Sequence, residues 1–336
     1  PATTSITVNK KWLDENNQDG IRPETVTLIL KANGTEVQRA TVGANDNWSK
    51  TFENLPVYAN GEKIVYTVDE ETVTTGYTKT VEGMTVTNTH KTETTEVTAK
   101  KEWHDNNNQD GIRPKKISIS LKNKENIIDT VELTEANNWS TTFKDLPKYE
   151  NEGTLINYTI VENTIIPGYK TSINNDTEIK TITNTHVTDT TKIDAIKTWD
   201  DNNNQDGIRP ETVTLILKAN GTEVQRATVG ANDNWSKTFE NLPVYANGEK
   251  IVYTVDEETV TTGYTKTVEG MTVKNSHIPA TTSITVNKEW LDENNQDGIR
   301  PETVTLILKA NGTEVQRATV GANDNWSKTF ENLPVY

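Results

Sequence analysis

The chain has 336 residues, of which 32% are hydrophobic, with eight Trp, two Met, four Phe and no Cys. Thirty-four Lys and Arg against 49 Asp and Glu give a formal net charge of −15. This acidity argues against nucleic acid and anionic membrane surfaces as partners, and the missing thiols exclude Cys catalysis, Cys-based zinc sites and disulfides.

The eight Trp fall into four pairs, Trp12/Trp48, Trp103/Trp139, Trp199/Trp235 and Trp290/Trp326, each separated by 36 positions. Residues 279–336 repeat residues 1–58 with one change, Lys11 to Glu289, and residues 211–273 repeat residues 24–86. The chain is therefore read as a repeat array. The expected units are 1–91, a diverged 92–187, 188–278 and a truncated 279–336.

Within the first unit, residues 5–12 alternate, with Ile6, Val8, Lys10 and Trp12 on one face. Residues 25–31 are rich in β-branched side chains, and Asn33-Gly34 supplies a two-residue hairpin turn. Further strands are predicted around 37–42, 48–52, 63–70, 77–81 and 84–90. No stretch shows helical periodicity, and no apolar run approaches the roughly 18 residues of a spanning helix. The fold expected is all-β, a tandem series of antiparallel β-sandwiches of about seven strands each, with little or no helix. The joints 91–95, 187–192 and 278–281 are short, which favours a rod over loose beads. No leader-like segment opens the chain at Pro1 and no anchor-like segment follows Tyr336, so a piece of a longer protein is expected.

Three polar residues occupy apolar positions in each complete unit. Period-2 alternation puts Lys10 on the face of Val8 and Trp12, and treats Lys101, Lys197 and Lys288 alike. Glu70 follows Tyr66 and Val68 on an inward face, as Glu162 and Glu257 do in their units. Asn88 follows Met84 and Val86, with Asn184 and Asn275 as counterparts. A buried, unpaired ammonium is very costly, so a partner is required. One reading is a buried Lys–Glu ion pair with Asn hydrogen bonded beside it. The other is covalent: burial disfavours the charged forms, a neutral amine attacks the Asn carboxamide, and Glu polarises its oxygen and shuttles protons. Ammonia leaves and a Lys–Asn amide remains, in a single self-modification without turnover.

The ordered motifs Lys-x-Trp, Asn-Gln-Asp-Gly-x-Arg-Pro, Asn-x-Trp, Leu-Pro-x-Tyr, Tyr-x-Val/Ile-x-Glu and a terminal Asn-Thr/Ser run through the whole chain. In this the chain resembles the B-type repeats of collagen adhesins. The resemblance implies an inverse immunoglobulin-like fold and intramolecular isopeptide bonds assisted by an acidic residue. The implied sets are Lys10–Glu70–Asn88, Lys101–Glu162–Asn184 and Lys197–Glu257–Asn275, while Lys288 is left unpaired because no later Glu or Asn is present. It further implies a non-enzymatic stalk beneath a separate N-terminal ligand-binding region, extracellular and anchored to a Gram-positive cell wall. Such a stalk meets host extracellular matrix only indirectly. The alternative is that the repeats themselves bind a matrix protein.

Other features are read structurally. The Asn/Asp-rich loops at 14–20, 105–111 and 200–207 look like calcium loops, but the twelfth position from Glu15 is Val26 where a bidentate Glu is needed. A turn without metal is expected there, and no cofactor is expected anywhere. Arg22, Arg113, Arg209 and Arg300 are expected in salt bridges or inter-repeat contacts, and the Trp residues as core anchors. His90, His186 and His277 follow last strands, His104 is placed in a loop, and no His pair has metal-ligand spacing. Residues 279–336, lacking half a unit, are expected to be disordered, packed on a neighbour or completed by another chain.

Overall fold

The computed structural model describes residues 1–336. The first repeat contains β1 (Thr3–Leu13), β2 (Thr25–Ala32), β3 (Thr35–Gly43), β4 (Ser49–Pro56), β5 (Tyr58–Ala59), β6 (Glu62–Lys63), β7 (Tyr66–Glu70), β8 (Thr78–Glu82) and β9 (Thr85–Thr89). One sheet has the order β4-β1-β9-β8, the other β3-β2-β7, and β5-β6 form a small ribbon. The second and third repeats carry the same two sheets. Every ladder is antiparallel except one per repeat: β1 and β9, the first and last strands, run parallel. Helix is confined to single 3-10 turns such as Ala44–Asp46.

The local chemistry explains the strand boundaries. Asn33 at φ 48° and Gly34 at φ 84° close the β2–β3 hairpin between Ala32 and Thr35. The strand predicted to begin at Trp48 begins at Ser49, because Asn47 and Trp48 both have positive φ. The single strand predicted over 63–70 is broken into β6 and β7. At the break, Asn33 N donates to Val65 O at 2.8 Å and Val65 N donates to Asn33 Oδ1 at 2.9 Å, moving the chain from the ribbon onto the β2 sheet.

Between the sheets Val8, Leu28, Leu30 and Val86 are fully buried, with Phe52, Leu55 and Val68 beside them. Trp12 and Trp48 border this core edge to face, ring centroids 5.2 Å apart, so the Trp pairs anchor the core as expected. Equivalent clusters fill the second and third repeats.

By compactness the chain divides into two units, Pro1–Asn107 with Ile112–Val187, and Asn108–Gly111 with Thr188–Tyr336. In the second unit, residues 279–336 carry the strands Thr281–Asn287, Thr303–Ala310, Thr313–Gly321 and Ser327–Pro334 in two separate two-stranded ladders. These strands are ordered and paired, unlike the disorder named among the expectations. Their inner faces are open: Ile284 is 46% exposed, and Val304, Leu306 and Leu308 are only half-buried where their counterparts Val26, Leu28 and Leu30 are buried.

The loop after β1 is held by Asp14, which is almost wholly buried. It accepts from Arg22 Nε at 2.9 Å and Nη2 at 2.5 Å, from Tyr77 OH at 2.7 Å and from Asn17 N at 3.1 Å. Burial opposes its charge, but these bonds prevail and hold the carboxyl below its usual range. Truncating one partner of a buried charge pair strands the other. Asp14→Ala is therefore expected to destabilise the first repeat by about 3 kcal/mol, read as lost hydrogen-exchange protection in β1 and β9.

Candidate functional site

The fold brings the three polar residues of each complete repeat together between the sheets. Lys10 and Asn88 come from neighbouring strands of one sheet: in the parallel ladder Lys10 lies beside Val86, and Trp12 beside Asn88. Glu70 comes from β7 in the facing sheet, where it pairs with Leu28. Lys10 is 5% exposed, Glu70 3% and Asn88 0%.

The Glu70 carboxyl touches both nitrogens. Its Oε2 lies 3.4 Å from Lys10 Nζ, and its Oε1 accepts from Asn88 Nδ2 at 3.1 Å. Asn88 Oδ1 has no hydrogen-bond partner, nor does Glu70 Oε2. The carboxyl thus faces the amide nitrogen, where the sequence reading had it polarise the amide oxygen. Each Glu oxygen is matched to one nitrogen.

The other complete repeats share this arrangement. Lys101 Nζ is 3.5 Å from Glu162 Oε2, and Asn184 Nδ2 donates to Glu162 Oε1 at 3.2 Å. Lys197 Nζ is 3.4 Å from Glu257 Oε2, and Asn275 Nδ2 donates to Glu257 Oε1 at 3.2 Å. In the second repeat Thr171 adds a hydroxyl bond to Glu162 Oε2 at 3.2 Å. The first and third repeats instead place Lys79 and Lys266 on Asp69 and Asp256 at the pocket rim. Lys288, in the partial repeat, is only half buried, has no carboxylate partner and sits 4.4 Å from the Trp290 ring centroid.

Burial pushes the Lys10 amine down from 10.5 to about 8, against the attraction of Glu70. Lys101 and Lys197 are lowered to about 8 for the same reason. Lys10 also lies 4.2 Å from the Trp12 ring centroid, a contact that favours the ammonium. Desolvation is the larger effect. The result is an amine that favours its neutral form below the ordinary lysine range, next to an amide whose oxygen is unpartnered.

The remaining candidates have structural roles. Arg22 pairs with Asp14 inside its own repeat, and Arg209 with Asp201 likewise. The Asp14 carboxylate of the calcium-like loop is spent on Arg22, Tyr77 and the loop backbone. His104 closes the strand Thr94–His104, a correction to its predicted loop. Sequence reasoning missed what His90 does: its ring meets Asp19, 71 positions away, a pairing without a local signal.

The family model described as Cna protein B-type domain matches residues 6–89, 97–185, 193–276 and 284–336. A collagen adhesin of Staphylococcus aureus is 41% identical over 336 residues, covering 99% of this chain and 28% of that protein. The chain thus spans little more than a quarter of that relative. The crystal structure of two B repeat units (B1B2) of the collagen binding protein of S. aureus is 40% identical, covering 100% of this chain and 90% of that one, with a TM-score of 0.53. A single B repeat unit (B1) of the same protein is 39% identical, covering 55% of this chain and 100% of that one, with a TM-score of 0.28.

The lowered amine can be read directly. In Asn88→Ala the Lys10 13Cε shift is expected to titrate near 8 rather than 10.5. The folded state then binds fewer protons than the unfolded between those values. Its stability should rise with pH across that window, since the cost of burying the ammonium is full below about 8 and is relieved toward 10.5. A midpoint at the ordinary lysine value would mean that burial does not prepare the amine.

Proposed function

The chain belongs to the Cna protein B-type domain family, and on that premise we propose that it is a stalk segment of a Gram-positive cell-wall-anchored adhesin. In this reading it projects a separate ligand-binding region toward host matrix, and each complete repeat is locked by a self-formed isopeptide bond. The repeats are 1–91, 92–187 and 188–278, followed by the partial 279–336. The bonds join Lys10 to Asn88, Lys101 to Asn184 and Lys197 to Asn275, with Glu70, Glu162 and Glu257 as proton carriers.

The observation that carries this reading is the one carboxyl set between two nitrogens, at 3.4 and 3.1 Å in the first repeat. The neutral Lys10 amine attacks Asn88 Cγ, forming the new C–N bond. Glu70 Oε2 takes the proton from Nζ, and the same carboxyl returns one through Oε1 to Nδ2. The C–Nδ2 bond breaks, ammonia leaves, and Glu70 recovers its starting state. One carboxyl suffices because it contacts both the attacking and the leaving nitrogen. The reaction runs once per repeat and needs the folded pocket to desolvate the amine.

The placement suits a load-bearing element. Lys10 and Asn88 are 78 positions apart in sequence, yet lie on adjacent strands at the two ends of the repeat. A link closing such a loop stabilises by roughly 4–5 kcal/mol in the chain-entropy view. Under tension it would carry force from the first strand to the last, bypassing everything folded between them.

Intact mass spectrometry tests the proposal. The wild-type chain is expected to weigh less than its calculated mass by three ammonia molecules, and Glu70→Ala should restore one of them. An unshifted wild-type mass would leave three buried ion pairs and no covalent lock.

A further inference from the structure

Two of the joints, after the first repeat and before the partial one, carry a histidine whose two ring nitrogens both face acceptors. His90 follows β9, and its backbone N donates to Leu13 O at 2.9 Å, which anchors the residue. Its Nδ1 lies 2.8 Å from Gly76 O, and its Nε2 lies 2.8 Å from Asp19 Oδ2. A carbonyl and a carboxylate can only accept, and a neutral imidazole donates from one nitrogen alone. Only the imidazolium satisfies both.

The same Asp19 oxygen reaches into the next repeat. Oδ2 accepts from Glu93 N at 2.7 Å, and Glu93 O in turn accepts from Lys148 N at 3.0 Å, within the second repeat. Beside it the two backbones touch: Gly153 N donates to Gln18 O at 3.0 Å. A Cβ on Gly20, which has φ +71°, would stand 2.4 Å from Glu152 O. The arrangement recurs in the second unit. His277 Nδ1 meets Gly263 O at 2.8 Å and its Nε2 meets Asp206 Oδ2 at 2.9 Å, while Ala280 N donates to the same oxygen at 2.8 Å. Ala280 O accepts from Val335 N at 3.1 Å, so it too belongs to the following repeat.

We propose that His90 and His277 are proton-dependent clasps that set the stiffness of the joint to the following repeat. Protonated, each ring holds its Asp in place to grip a backbone amide at the start of that repeat; deprotonated, the ring loses one of its two bonds and the grip loosens. The proposal does not depend on the covalent chemistry proposed above.

The groups facing His90 are Asp19 and Asp14 of the β1–β2 loop, the Gly76 carbonyl and Tyr77, whose ring lies 5.5 Å away and whose hydroxyl is bonded to Asp14. The Arg22 guanidinium belongs to the same cluster, but it is held on Asp14. Burial works against protonation, but the bonds to Asp19 and Gly76 and the nearby carboxylates outweigh it, raising the His90 pKa. His277, facing Asp206, Asp201 and Tyr264, is raised as well, chiefly by its bond to Asp206. With raised folded values, the clasp is complete below the ordinary histidine range and is lost as pH climbs through the folded value.

Side-chain 15N shifts and amide hydrogen exchange of the full chain, followed against pH, test this. His90 is expected to titrate above the ordinary histidine value, with both nitrogens protonated at pH 6. The Glu93 amide should lose protection by roughly tenfold across the same midpoint, as a bond to a charged group weakens. His90→Phe keeps a ring against Tyr77 and should abolish that step. Asp19→Asn keeps an acceptor for Glu93 but removes the charge, and should return the His90 midpoint toward its ordinary value. A neutral ring at pH 6, or a Glu93 protection factor without a step in the wild type, would overturn the clasp whether or not either variant folds.

Discussion

The parallel ladder between β1 and β9 is the constraint on which each repeat depends. Joining first and last strands side by side forces both ends of the repeat into one sheet, and the strands between must form the second layer and the edges. It also sets Lys10 and Asn88 two residues out of register on adjacent strands, both turned inward. A slip of one residue would turn every inward side chain of β1 to solvent, so the packing of Val8 against Leu28 and Val86 enforces the alignment of the polar pair.

Within that frame the buried amine is a conflict that the fold does not remove. Glu70 and the Trp12 ring favour the ammonium, whereas the dry pocket disfavours it more strongly. Ordinary folding would be expected to resolve this by an apolar substitution, since a buried ion pair is seldom better than well-packed hydrocarbon. The same conflict stands in three repeats, with an unpartnered amide oxygen each time, and the proposed bond would relieve it. The rim is more permissive than the centre: Lys79 over Asp69 in the first repeat gives way to Thr171 and Val161 in the second, while Lys, Glu and Asn remain in place.

The acidic loop after β1 works in two directions. Asp14 turns inward to Arg22 and Tyr77, securing the loop to its own repeat. Asp19, five residues on, turns outward to His90 and Glu93. A segment that resembles a calcium loop in composition thus spends two of its carboxylates on side chains and backbone amides. Its tight left-handed turns, with Asn16 and Asn17 at φ 58° and 60°, favour Asn, and Asn17 Oδ1 also accepts from Arg22 N at 2.9 Å.

Much of this was legible in the amino-acid order, because period-2 alternation is a local property. The Trp pairs revealed the repeats, the turn residues placed the hairpin, and parity alone marked Lys10, Glu70 and Asn88 as inward polar residues. What parity could not supply was distance, since inward faces of two sheets share a core without necessarily sharing a pocket. Only the pairing of β1 with β9 and the packing of β7 across from them decided that one carboxyl would touch both nitrogens, and by which atoms. The break at Val65 and the meeting of His90 with Asp19 were likewise beyond sequence reading. Each rests on a hydrogen bond between residues at least 32 positions apart, whose partners are chosen by how the sheets close and not by any neighbour in the chain.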